Sequence, residues 1–256
     1  MKQYIILLVA VFSLQIVSSQ QNNSIPAPPK NLESSIETVT FYAKDSVQIT
    51  ADTYFLEGVK PTVLLCHQAG FSRGEYINTA RKLNDLGFSC MAIDQRSGKE
   101  VNGIVNQTAK DADIKGMNVG YAGAKQDLEA AIDYLYALNG NQSIILVGSS
   151  YSASLALWIG SENNKVKAVA AFSPGEYLKG IDLAKTISSL QIPTFLTSSK
   201  REAKPVEKLV RNVKSKYITH FKPTVKGIHG SRALWKATEG HKEYWNAFKT
   251  FVLTNK

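Results

Sequence analysis

Apolar and polar positions follow two different rhythms along this chain. Between Glu37 and Phe55 the alternation has a period of two, in the runs Val39-Thr40-Phe41-Tyr42 and Val47-Gln48-Ile49-Thr50, the second continuing to Tyr54-Phe55. Asp45-Ser46 separates the runs, so the pattern predicts an antiparallel, hairpin-like start. From Pro61 onward short apolar runs alternate with stretches of helical period. Strands are predicted at Thr62–Cys66, Phe88–Ile93, Ile144–Val147, Val166–Phe172, Pro193–Thr197 and Tyr217–Phe221. Helices are predicted from Ser72 to about Leu86, at Ala122–Leu138, after Ser152, at Leu178–Leu190, at Pro205–Lys214 and from Ser231 to about Thr254. Ser72 and Glu75 have the spacing of a capping box, and Gly87 ends that helix. Residues Lys99 to about Gly120 are the least regular and read as a loop over one edge. Strand and helix in alternation predict an α/β class with a mostly parallel central sheet covered by helices on both faces.

Length and composition fix the scale of that sheet. The chain has 256 residues and is 44% hydrophobic, enough for one sizeable core and one domain over residues 36–256. Two segments precede it. Met1-Lys2 supplies a positive charge, Tyr4 to Val17 is an apolar run too short to span a bilayer, and Val17-Ser18-Ser19 offers small residues before a cut at Gln20. Residues 1–19 therefore read as a secretory signal peptide, and the polar, Pro-rich residues 20–35 as a flexible linker. The expectation is an exported protein, periplasmic or secreted, with no stable membrane insertion after cleavage. Cys66 and Cys90 both lie in apolar runs and read as buried free thiols rather than a disulfide or a nucleophile. The net charge is +9, but Lys and Arg are scattered among acidic residues, which argues against nucleic acid as a partner.

The chemistry centres on Gly148-Ser149-Ser150-Tyr151-Ser152. A strand precedes this run and a helix follows it, the setting in which a sharp turn lifts a central Ser hydroxyl clear of the sheet. Gly148 and Ser152 are small enough for the close strand–helix contact, and the N–H of Tyr151 opens the helix where an oxyanion can develop. A nucleophilic Ser needs a base to take its proton and a carboxylate to orient that base. His229, in the Gly227-Ile228-His229-Gly230 loop, has the right chain position for the base. His220 and His241 lie inside a strand and a helix. Glu202, after the Pro193–Thr197 strand, is the candidate acid, with Glu207 the alternative one helical turn away. Each candidate sits at the carboxyl end of a predicted parallel strand, where open α/β sheets bind ligands. His67-Gln68-Ala69-Gly70 offers the backbone N–H of Gln68 as a second oxyanion donor. His67 itself reads as a prop for that loop, and Asp94 with Arg96 as a local ion pair.

Taken together, His67-Gln-Ala-Gly70, Asp94-Gln-Arg-Ser-Gly98, Gly148-Ser-Ser-Tyr-Ser152 and Gly227-Ile-His-Gly230 resemble the α/β-hydrolase superfamily, most of all its small, lidless branch of dienelactone hydrolases and simple carboxylesterases. The resemblance implies Ser150 as nucleophile, His229 as base and the N–H groups of Gln68 and Tyr151 as oxyanion donors, with no metal or cofactor. The elbow ends in Ser152 where Gly is usual, and it carries Ser150 where dienelactone hydrolases proper carry Cys. The activity implied is hydrolysis of small or exposed acyl esters, small-molecule substrates, through an acyl-enzyme. A peptidase or amidase of the same fold and a non-catalytic binding protein with a degenerate triad are the alternatives.

Overall fold

The computed structural model describes residues 34–256. The segment read as a signal peptide and nearly all of the linker lie outside the described residues. The first strand, β1 (Ser34–Tyr42), begins two residues inside the segment read as linker.

Eight strands form one sheet. β1 pairs antiparallel with β2 (Gln48–Leu56), and Ser46 makes the turn between them at a φ of 68°. β2 then runs antiparallel to β4 (Ser89–Ile93). From there the sheet is parallel, through β3 (Pro61–Cys66), β7 (Ile144–Ser149), β8 (Val166–Phe172), β9 (Thr194–Thr197) and β10 (Ile218–Phe221), in the order β1-β2-β4-β3-β7-β8-β9-β10. Two short strands, β5 (Glu100–Val101) and β6 (Ile104–Val105), make a separate hairpin. β7 is buried along its whole length, which explains a continuous apolar run in place of alternation: a central parallel strand has helices on both sides.

The helices divide between the two faces. α1 (Ile77–Asn84) and α7 (His241–Thr254) pack Ala80, Leu83, Tyr244 and Phe248 against one face. α2 (Gln107–Ile114), α3 (Lys125–Leu138), α4 (Tyr151–Glu162), α5 (Leu183–Thr186) and α6 (Ala203–Leu209) contribute to the core on the other. The α/β class and the mostly parallel sheet are as the pattern predicts.

Several helices are shorter than their periodicity suggests, each for a local reason. Gly180, at a φ of +83°, delays the helix expected from Leu178, and α5 starts only after Asp182 caps the N–H of Lys185. The helix expected from Ser231 breaks into a 3-10 turn (Ser231–Leu234) and α7, because Gly240 takes a left-handed conformation before His241. The irregular segment 99–120 holds the β5–β6 hairpin and α2, capped by Asn106.

Two buried arginines tie the loops above the sheet. Arg73 pairs with Asp52 and Asp94, and Arg96 with Asp45 and Asp127. The Asp94–Arg96 pair read from the sequence does not form, because each finds its partner on another element. Cys66 and Cys90 are free and fully buried, and burial pushes both thiols up.

Candidate active site

The six parallel strands end on one edge of the sheet, and every residue of the site comes from the loops at that edge. β7 runs directly into Ser150, whose backbone is held at φ 58° and ψ −121°. A non-Gly residue in this conformation stores about 1–3 kcal/mol of strain. It persists because the strand and helix pin both sides: Ser150 N–H donates to Phe172 O at 2.8 Å, and α4 starts at the next residue. Gly148 has no room for a side chain, since a Cβ there would lie 2.4 Å from Ser152 O.

Ser152 fills the place where Gly is usual. Its hydroxyl donates to His67 O and accepts from Gln95 Nε2, tying α4 to the loops after β3 and β4.

Ser150, His229 and Glu202 form one hydrogen-bonded chain. His229 Nε2 lies 2.8 Å from Ser150 Oγ, and His229 Nδ1 lies 2.7 Å from Glu202 Oε1. An ionised carboxylate only accepts, so Nδ1 carries the proton and Nε2 is left to accept from the Ser150 hydroxyl. Glu202 Oε2 also accepts from Ser199 N–H at 3.1 Å, Ser199 Oγ at 2.6 Å and Ser173 Oγ at 3.1 Å. Partial burial pushes Glu202 up, but the bonds from His229 and Ser199 outweigh it and hold the carboxyl at about 2. Glu207 does not approach His229. It pairs with Lys222 at 3.0 Å on the surface.

The His229 loop is anchored on both sides. Gly227 passes so close to Tyr244 that a Cβ would meet its hydroxyl at 1.9 Å, and that hydroxyl donates to Ser198 O at 2.9 Å in the acid loop. After the histidine, Gly230 N–H donates to Ser173 Oγ at 3.0 Å and Ser231 N–H to Ser149 Oγ at 2.8 Å. Tyr177 stands edge-on to the His229 ring at 6.4 Å.

The loop after β3 differs from its sequence reading. Gln68 N–H donates to Glu75 Oε2 at 2.7 Å, so it is not free to meet an oxyanion. The cause is Glu75 itself. Its side chain caps nothing in its own helix: Ser72 Oγ accepts from Gly74 N–H instead, and the Glu75 carboxyl turns inward to Gln68 N–H and the Ser231 hydroxyl. The next amide, Ala69 N–H, has no partner among the described residues, and neither has the N–H of Tyr151 at the start of α4.

His67 is fully buried and props the loop. Nδ1 donates to Gln68 O at 2.7 Å and Nε2 accepts from Gln95 N–H at 3.0 Å, which fixes one neutral tautomer, and burial lowers its pKa to about 4. The Tyr151 ring is buried and stacks on Tyr121 at 4.6 Å. Sequence reasoning missed Ser173, Ser149, Glu75 and Ala69 as parts of the site. The positions of Ser149 and Ser173 at strand ends were visible, but no pattern marks which strand-end hydroxyl turns inward.

A sequence model described as serine aminopeptidase, S33, matches residues 57–251. The chain belongs to this family of serine hydrolases. The match covers every residue of the site described above. The fold is that of the α/β-hydrolases, and solved structures share it at low identity. An esterase from Pyrococcus furiosus is 17% identical, with a TM-score of 0.66 over 90% of this chain and 99% of that one. A dienelactone hydrolase from Anabaena variabilis is 16% identical, with a TM-score of 0.66 over 86% and 98%. A dienelactone hydrolase-like promiscuous phosphotriesterase from metagenomic libraries is 16% identical, with a TM-score of 0.60 over 86% and 98%. No curated protein compared matches the sequence significantly.

Proposed function

We propose that the protein hydrolyses carboxylic esters through an acyl-enzyme formed on Ser150. The observation that carries this reading is the chain from Ser150 Oγ through His229 to Glu202, with contacts of 2.8 and 2.7 Å on a strained turn. Ser150 Oγ attacks the acyl carbon while its proton passes to His229 Nε2. Glu202 stays ionised and stabilises the imidazolium. The oxyanion of the tetrahedral intermediate takes the N–H groups of Tyr151 and Ala69, the two amides without partners; Ala69 replaces Gln68 in this role. His229 then gives its proton to the leaving alkoxide, and the alcohol departs. Water repeats the sequence: it loses a proton to His229, attacks the acyl-enzyme, and the acid leaves as Ser150 regains its proton.

Esters rather than amides are favoured by the likeness to esterases and dienelactone hydrolases. Small or exposed acyl groups are favoured because residues 173–193, between β8 and β9, hold only α5 and a 3-10 turn, too little for a helical lid. The test is a matched panel of short-chain aryl esters and aminoacyl anilides. Ester turnover abolished by Ser150→Ala is expected, and turnover of the anilides alone would overturn the ester reading.

Export through the segment at residues 1–19 is part of the same proposal, supported by its charge and apolar run. N-terminal sequencing of protein from the exported fraction should begin near Gln20. Intact Met1 there would contradict it.

A further inference from the structure

A groove lies beside His229, between the acid loop and the histidine loop. It encloses about 730 Å³, and of the residues Ser150, His229 and Glu202, His229 alone lines it. Its other charged lining is entirely cationic: Lys200 and Arg201 from the acid loop, Lys226 and Arg232 from the histidine loop. None of the four forms a salt bridge among the described residues. Lys200 Nζ donates to Thr224 O at 2.9 Å, which spends one of its three donors. Arg232 lies over the Phe71 ring at 5.5 Å, and its Nε is buried without a hydrogen-bond partner. Arg232 bears on the Glu75 carboxyl, which is already engaged with Gln68 N–H and Ser231.

Lys200, Arg201 and Lys226 are exposed and Arg232 is half-buried, so water screens their mutual repulsion, yet together they favour an anion that enters the groove. The chemistry says which part of a substrate would. His229 Nε2 takes the Ser150 proton and must deliver it to the leaving oxygen, so the alcohol portion of the ester lies against His229. His229 also lines the groove, so the alcohol portion and the groove share that side chain.

We propose that this groove is a leaving-group subsite for an anion, and that the preferred substrates are small esters whose alcohol carries a carboxylate, sulfonate or phosphate. This rests on the ester-hydrolase reading above. The anion would gain charge-assisted hydrogen bonds from Arg201, Lys226 and Arg232, whose donors have no carboxylate to compete for them.

The test compares 2-naphthyl acetate with its 6-sulfonate, which share the acyl group and the leaving oxygen and differ in a distant charge. For the full chain kcat/KM should be about tenfold or more higher for the sulfonate, mainly through KM. The ratio should fall as salt rises from about 20 mM to about 0.5 M, because the Debye length shrinks across that range. Arg201→Gln with Lys226→Gln should bring the ratio towards one. Lys242→Gln with Lys249→Gln, which removes the same net charge from the exposed side of α7, should leave it high. Fluorescence titration with 6-sulfo-2-naphthol against 2-naphthol reads the same preference without turnover. If both esters are hydrolysed at equal rates, or the two double variants change the ratio alike, the subsite is overturned and the ester-hydrolase reading stands. If neither ester is hydrolysed and Ser150 is unreactive, the ester-hydrolase reading fails and takes the subsite with it.

Discussion

The Glu75 carboxylate accepts the Gln68 N–H at 2.7 Å and the Ser231 hydroxyl on its other oxygen, so one buried side chain joins the loop after β3 to the loop that carries His229. Burial pushes this carboxyl up, with the bonds from Ser231 and Gln68 opposing. Glu75→Ala leaves two buried donors unpaired, at about 1–3 kcal/mol each. Glu75→Gln keeps one acceptor and one group able to meet the Ser231 hydroxyl. Urea denaturation should show a loss of about 2–6 kcal/mol for Ala and clearly less for Gln. Equal losses would show that Glu75 acts only by filling space.

Ser152 makes a comparable link at the elbow, between His67 O and Gln95 Nε2. Ser152→Ala removes the hydroxyl without a helix penalty and leaves the two groups only their long 3.4 Å bond to each other. A fall in stability of about 1–3 kcal/mol is expected. An unchanged Tm would mean that the Ser stands there only for its size.

Acid should destabilise the protein in two overlapping steps. His67 has its folded pKa lowered from 6.5 to about 4 by burial, so the unfolded chain binds the extra proton and stability falls as pH drops from 6.5 to about 4. Glu202 is lowered from 4.5 to about 2: burial opposes this, but the bonds from His229 and Ser199 outweigh it. The stability it contributes is present above 4.5 and is lost as pH falls towards 2. Thermal unfolding between pH 7 and pH 3 should show a falling Tm, and Glu202→Gln should flatten only the part below 4.5. A Tm that rises on acidification would contradict both assignments.

The acid itself can be tested at neutral pH. Glu202→Gln keeps an oxygen for Ser199 but no longer fixes the His229 tautomer by charge. A fall in kcat/KM of about 10²–10⁴-fold is expected, whereas Glu207→Gln, at the surface pair with Lys222, should change it by less than about twofold. Similar losses in both would place the acid elsewhere.

Much of this was legible in the sequence because the signals were backbone signals. The run Ile144–Val147 before Gly148-Ser-Ser-Tyr-Ser152 reads as a buried strand entering a tight turn, and the chain order Ser150, Glu202, His229 places each residue after a parallel strand. What failed depended on side-chain direction. Ser72 and Glu75 have capping-box spacing, yet the carboxyl points inward, because Gln68 N–H and Ser231 lie on that side. The same displacement moves the free amide from Gln68 to Ala69. Asp94 and Arg96 are close in sequence, yet Asp94 pairs with Arg73, just before α1, and Arg96 with Asp127 on α3 and Asp45 in the β1–β2 turn. Two helices fall short of their periodicity where a glycine takes a positive φ, at Gly180 and Gly240.

The central claim is that His229 activates Ser150. It is tested most directly by covalent labelling of the full chain with a fluorophosphonate probe, read by intact mass and peptide mapping. A single adduct on Ser150 is predicted, absent in Ser150→Ala and slowed by about 10²-fold or more in His229→Ala. Folded protein that takes no label, or a labelling rate indifferent to His229, would contradict it.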